Sequence, residues 1–231
     1  MEFLLLLLNR RGAEPHTPVA ALEMGEFARD LHQEGVLRGG APLRPESEGA
    51  RVCVRNGVAS ATGGAEIESE HELVGFFEID VPDRAAALEI ARRCPHARAG
   101  SVEIRRAHGR RMPSKGGPRF VHLYLWGPGL TGPDEPRMAE MGQFMQWLAR
   151  EQKIVSGARL PPDEPAARVE VRRGKALVID GPFAECKELI AGFSVIEAAD
   201  RDESLELAKR TPHAKWDSVI VREVDLAMMG K

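Results

Sequence analysis

Several features are scarce in this 231-residue chain. It has three cysteines, Cys53, Cys94 and Cys186, far apart and in no metal-ligand spacing. That excludes a disulfide framework and a zinc site of the usual kind, and it suits reduced thiols in a cytoplasm. Aromatic residues are only 5% of the chain, with a single tyrosine. No apolar run exceeds Phe3–Leu8, far short of the roughly 20 residues that span a membrane. That run also lacks the basic flank and small-residue cleavage site of a signal peptide and reads better as a buried strand. Neither sign of charge dominates: 32 basic against 35 acidic residues leave a net charge of −3. Bulk charge therefore gives no reason to expect nucleic acid or an anionic membrane as partner.

What the chain does have is a repeat. Shifted by 117 residues, Phe3–Arg105 aligns with Phe120–Arg222 without a gap, and 38 of the 103 pairs are identical. "MGEF" at Met24 falls on "MGQF" at Met141, "ARVCVRNG" at Ala50 on "ARVEVRRG" at Ala167, and "RCPHA" at Arg93 on "RTPHA" at Arg210. The chain is thus expected to hold two units of normal domain size. They cover residues 1–106 and 119–231, joined by a basic, Gly/Pro-rich linker over 107–118 that reads as a solvated tether.

Each unit patterns alike. In the second, Arg119–Trp126 reads as a strand, and Met138, Met141, Met145 and Leu148 recur at helical spacing, marking a buried face. Arg168–Val171 and Ala176–Ile179 flank a turn and form a hairpin. A strand follows in the 190s. Asp200 and Glu203 form a capping box for a helix that Pro212 ends, and a last strand starts at Trp216. The order is β-α-β-β-α-β plus a hairpin, so the expected class is α+β with two tandem ferredoxin-like domains. Sheets with helices on one side only can face each other, giving a pseudo-dimeric α/β barrel. The uniformly apolar side of the first strands (Leu4, Leu6, Leu8; Val121, Leu123, Leu125) is expected under the helices. The side with Phe120, His122, Tyr124 and Trp126 is expected in a cleft between the sheets.

"RVEVRRGKALVIDGPFAECKELIAGFSVIEAADRDESLELAKRTP" resembles the DGPF group of the YCII-related family. Asp180-Gly181-Pro182-Phe183-Ala184-Glu185 and Lys187-Glu188 match its motif, with Ile179 in place of the usual Thr. The first unit has Gly63-Gly64-Ala65-Glu66 there and has lost it. The resemblance implies ferredoxin-like units that pair. It also implies a small-molecule ligand, and in some members a link to extracytoplasmic-function sigma factors. Relatives that act on ring compounds use a His on the first helix with an Asp, and "MAEMGQFMQWLAR" contains no histidine.

The candidate catalytic residues are Asp180 and His122. Asp180 is either a general base or ligand anchor beside a cleft, or the head of an Asx turn. His122 is either a partner in that chemistry or a satisfied core histidine. The candidate substrate-binding residues are Phe183, Tyr124, Trp126 and His213. All three tryptophans and the tyrosine lie in the second unit, an asymmetry that can build one aromatic pocket. His213 has a counterpart at His96, which favours a structural turn. "GPGLTG", Gly127–Gly132, is broken by prolines and is no dinucleotide loop, so no cofactor and no metal are expected. The reading is a cytoplasmic enzyme or binding module for a small cyclic molecule at a single site. The fused chain can still pair with a second copy, since fusion leaves sheet edges free.

Overall fold

The computed structural model describes residues 1–12, 18–127, 135–161, 166–181 and 188–225. Phe183 and most of Gly127–Gly132 lie outside the described residues. The first unit runs β1 (Glu2–Arg10), α1 (Pro18–Gln33), β2 (Leu37–Pro42), β3 (Ala50–Arg55), β4 (Val58–Gly63), β5 (His71–Asp80), α2 (Arg84–Arg93) and β6 (Ser101–Arg106). After β7 (His108–Arg111), the second unit repeats the order. It runs β8 (Arg119–Trp126), α3 (Glu135–Arg150), β9 (Ile154–Arg159), β10 (Ala167–Arg172), β11 (Lys175–Asp180), β12 (Leu189–Glu197), α4 (Arg201–Arg210), α5 (His213–Trp216) and β13 (Ser218–Glu223).

The local signals act as their chemistry dictates. The Asp83 side chain caps α2 by accepting from the Ala86 amide at 2.8 Å, and the Asp200 side chain caps α4 by accepting from the Glu203 amide at 2.9 Å. Each such cap contributes about 1 kcal/mol. Both hairpin turns hold two residues at positive φ, Asn56-Gly57 and Arg173-Gly174. That is the turn whose twist matches antiparallel strands, and glycine adopts it at no cost.

The strands form two antiparallel sheets, β11-β10-β6-β1-β5-β2 and β4-β3-β13-β8-β12-β9-β7. Within each, four strands of one unit stand in the ferredoxin-like order (β6-β1-β5-β2 and β13-β8-β12-β9). The fifth and sixth strands come from the other unit. Hairpin β10–β11 docks on β6, with Ala167 opposite Ile104 and Val169 opposite Val102. Hairpin β3–β4 docks on β13, with Val52 opposite Val219. The two copies exchange hairpins. The exchange is pinned by residues that occupy equivalent places in the repeat. Buried Arg168 on β10 reaches Glu103 on β6 at 3.2 Å. Arg51 on β3 donates to Ser218 at 2.8 Å and grips Glu188 through both carboxylate oxygens, at 2.6 and 2.8 Å.

The core lies in three layers. Leu4, Leu6, Leu8, Val121, Leu123 and Leu125 form one cluster with Phe76 and Phe193 between the two sheets. Phe3, Leu5 and Leu7 pack under α1 and α2, and Phe120 and Tyr124 under α3 and α4. This reverses the expected faces. The dry aliphatic side joins the sheets, and the side with the rings lies beneath the helices. Amphipathic rings do not need an open cleft when a helix or a neighbouring strand supplies a hydroxyl, as Ser204 on α4 does for His122 and Ser194 on β12 for Tyr124.

The linker also differs from a plain tether. His108–Arg111 is a strand on the outer edge of β9, with His108 opposite Arg159. Gly109 permits the approach, since a Cβ there would lie 2.2 Å from the Gly157 carbonyl oxygen.

Candidate functional site

The second unit holds a cavity of about 440 Å³ between α3 and the sheet. Tyr124 and Trp126 on β8, with His213 and Trp216 on α5, line it on one side, and Met138, Met141 and Met145 of α3 cover it. The methionine stripe is therefore core at Leu148 and cavity wall at three of its positions. His213 stands among the rings, with centroids 4.6 Å from Trp126, 5.4 Å from Tyr124 and 5.6 Å from Trp216. Trp126 and Trp216 are nearly parallel at 6.4 Å.

The polar groups here are largely committed to one another. The Tyr124 hydroxyl bonds Ser194 Oγ at 2.6 Å, and burial raises the tyrosine's pKa, so the phenol stays protonated. His213 Nε2 lies 2.6 Å from the Leu125 carbonyl oxygen. A carbonyl only accepts, so the proton is on Nε2 and, in the neutral ring, Nδ1 is the acceptor. Burial lowers this histidine's pKa and favours that neutral form. Among the described residues no carboxylate borders the cavity, and no group of three or more His, Cys, Asp or Glu side chains could hold a metal ion.

The first unit shows why the cavity exists. Tyr124, Ser194, Trp126 and Trp216 align with Leu7, Phe77, Asn9 and Ala99. Phe77 is buried, and its ring packs edge-on to Phe27 at 5.8 Å. In the second unit a serine stands where Phe77 fills space, and the aromatic residues sit around the room this leaves.

Of the residues singled out by sequence, Tyr124, Trp126 and His213 come together at this cavity. His122 does not border it. It is 1% exposed beneath α4, bonded to Ser204 Oγ at 2.9 Å. Asp180 ends β11 in the other sheet, its side chain 72% exposed and paired with Arg84 at the start of α2. The Gly181 amide beside it bonds the Ala166 carbonyl at 3.0 Å. Sequence reasoning overlooked Ser194 and the wall supplied by His108, Arg110 and Arg159. Setting Ser194 against Phe77 in the repeat was the signal that could have found the first.

His122 carries a pH prediction. Burial holds its pKa at about 3, against about 6.5 in an unfolded chain. Between those values the unfolded state binds the extra proton, so stability falls as pH drops below about 6.5. At about 1.4 kcal/mol per unit, His122 alone should cost about 2 kcal/mol between pH 6.5 and 5. The first unit has Leu5 and Ala87 in place of His122 and Ser204. His122→Leu/Ser204→Ala should remove that share of the acid sensitivity in urea titrations at the two pH values. An unchanged difference would contradict the assignment.

Compared with known proteins, the chain matches the model of the YCII-related domain twice, over residues 1–108 and 124–226. An uncharacterised protein of Rhizobium meliloti (strain 1021) is 36% identical over 81 residues, which are 35% of this chain and 65% of that protein. A crystal structure provisionally described as a chlorite dismutase aligns over 99% of this chain and 96% of its own, with a TM-score of 0.41 and 9% identity. No described helix is long and apolar enough to cross a membrane.

Proposed function

The chain belongs to the YCII-related family, and from that premise we propose that its second copy binds a small, largely apolar ring compound under α3 while the first copy serves as scaffold. The observation that carries this reading is the coupled difference between the copies. Leu7 and Phe77 close the space in one, and Tyr124 and Ser194 line it in the other. Stacked rings and methionine side chains suit a flat apolar ligand, with aromatic offset or edge contacts worth about 0.5–1.5 kcal/mol each. Binding rather than acid–base turnover is favoured, because Asp180 and His122 do not border the cavity.

Tyr124→Leu/Ser194→Phe rebuilds the first copy's pair and should close the cavity while the protein stays folded. A set of cyclic and aromatic compounds can be screened by thermal shift, with calorimetry on those that stabilise. At a ligand concentration about a hundredfold above Kd, the wild type should gain about 2.7 kcal/mol and the double variant almost nothing. Equal gains in the two proteins would refute the site, as would a screen in which no ring compound stabilises the wild type.

A further inference from the structure

We infer that the ligand is a ring compound bearing a carboxylate, held at the sheet-edge end of the cavity by Arg110 and Arg159; this rests on the cavity being a ligand site. β7 places the first of these arginines. His108 stands opposite Arg159 and Arg110 opposite Gly157, so by the two-residue period of a strand all three side chains share one face. That is the face α3 covers, and all three line the cavity. Arg111, one residue on, points the other way and pairs with Glu78 at 3.5 Å. Gly157 offers Arg110 no side chain to meet.

Among the described residues, neither Arg110 nor Arg159 has a side-chain hydrogen bond or ion pair. Most other arginines here are matched, as Arg51 is with Glu188, Arg93 with Glu34 and Arg168 with Glu103. Two unmatched guanidinium groups at the rim of an apolar cavity, with no carboxylate among its described lining, are complementary to an anion. A planar carboxylate suits the guanidinium fork, and both arginines are exposed at the rim, free to meet the charged end of a ligand whose ring lies among the apolar walls. The first unit supports the same conclusion by contrast. Pro42 stands in the place of Arg159, and the same 117-residue shift puts Ala227 in the place of Arg110. Neither arginine has a basic counterpart at the equivalent position of the repeat.

The test uses an isosteric pair, 2-naphthoate and 2-naphthamide, titrated calorimetrically into the full chain. Wild type should bind the acid at least about tenfold more tightly than the amide, as expected for a charge-assisted contact. Arg110→Met/Arg159→Met should abolish that preference and leave the amide's affinity unchanged. Added salt should weaken only the acid. If wild type binds both probes alike, or the arginine variant keeps the preference, the carboxylate inference fails while the ligand site stands. If neither probe binds wild type, or Tyr124→Leu/Ser194→Phe binds the acid as well as wild type, both fail.

Discussion

Divided between Ala107 and His108, neither half of this protein should persist as a folded monomer. Each sheet is finished by the other copy's hairpin. A lone first half would leave β6 without β10 and β3–β4 without β13. It would also uncover the side chains that face the second sheet, among them Leu4, Leu6, Leu8, Leu43, Leu73 and Phe76. At about 1.5–3 kcal/mol for each large apolar side chain, that loss matches the roughly 5–15 kcal/mol by which a domain is stable. Co-expressed halves should reassemble. The first half alone should be insoluble or dimeric, because its β3–β4 can dock on a second copy's β6 as β10–β11 does. Light scattering coupled to size exclusion, with circular dichroism, decides the matter, and a folded monomeric half would overturn the role given to the exchange.

The second large effect is expected at Arg222. It is 1% exposed on β13, yet it serves the first unit. Its Nε donates to the Arg44 carbonyl at 3.0 Å and its Nη1 to the Leu73 carbonyl at 3.1 Å. Glu46 Oε1 lies 3.7 Å from Nη1. Arg105, its equivalent in the repeat, reaches the Leu160 and Pro161 carbonyls of the second unit. The pair ties each unit's last strand to a loop of the other. Arg222→Met would take the side-chain donors away from two carbonyls and deprive a buried carboxylate of one of its two cations. The other is Arg11, at 2.7 Å. The expected cost is about 3–5 kcal/mol, read as a lower urea midpoint at unchanged slope. A loss below about 1 kcal/mol would mean that water takes the arginine's place.

Much of this architecture was legible beforehand because local chemistry specifies it. The gap-free repeat gave two copies, Asp200 and Glu203 gave a helix start, and the turn flanked by Arg168–Val171 and Ala176–Ile179 gave a hairpin. The destination of that hairpin was not legible. A two-residue alternation tells which side chains share a face, not which strand lies alongside. The face of β8 is ambiguous in the sequence for a related reason. Both sides of the strand are apolar enough to bury, and the groups that satisfy His122 and Tyr124 are Ser204 and Ser194, some 70 to 82 residues away. The cavity was half legible, as a concentration of rings in one copy. Asp180 drew notice through its motif, but its strand belongs to the exchanged hairpin and carries it into the opposite sheet, away from those rings.

The exchange also bears on how the chain is made. β3 and β4 emerge from the ribosome early, but the strand they dock on, β13, spans Ser218–Glu223 near the C-terminal end. The order of synthesis therefore keeps the N-terminal copy from closing on its own. Contacts separated by well over 100 residues must form last and slow the search, and until then a hairpin edge stays open to mispairing. Val58 on that waiting hairpin is 69% exposed even when folded, while β4 consists mainly of small residues, VASATG. The edge left open is that of β3, ARVCVR, and its Arg51 and Arg55 are charges that blunt it as a seed for aggregation while it waits for β13.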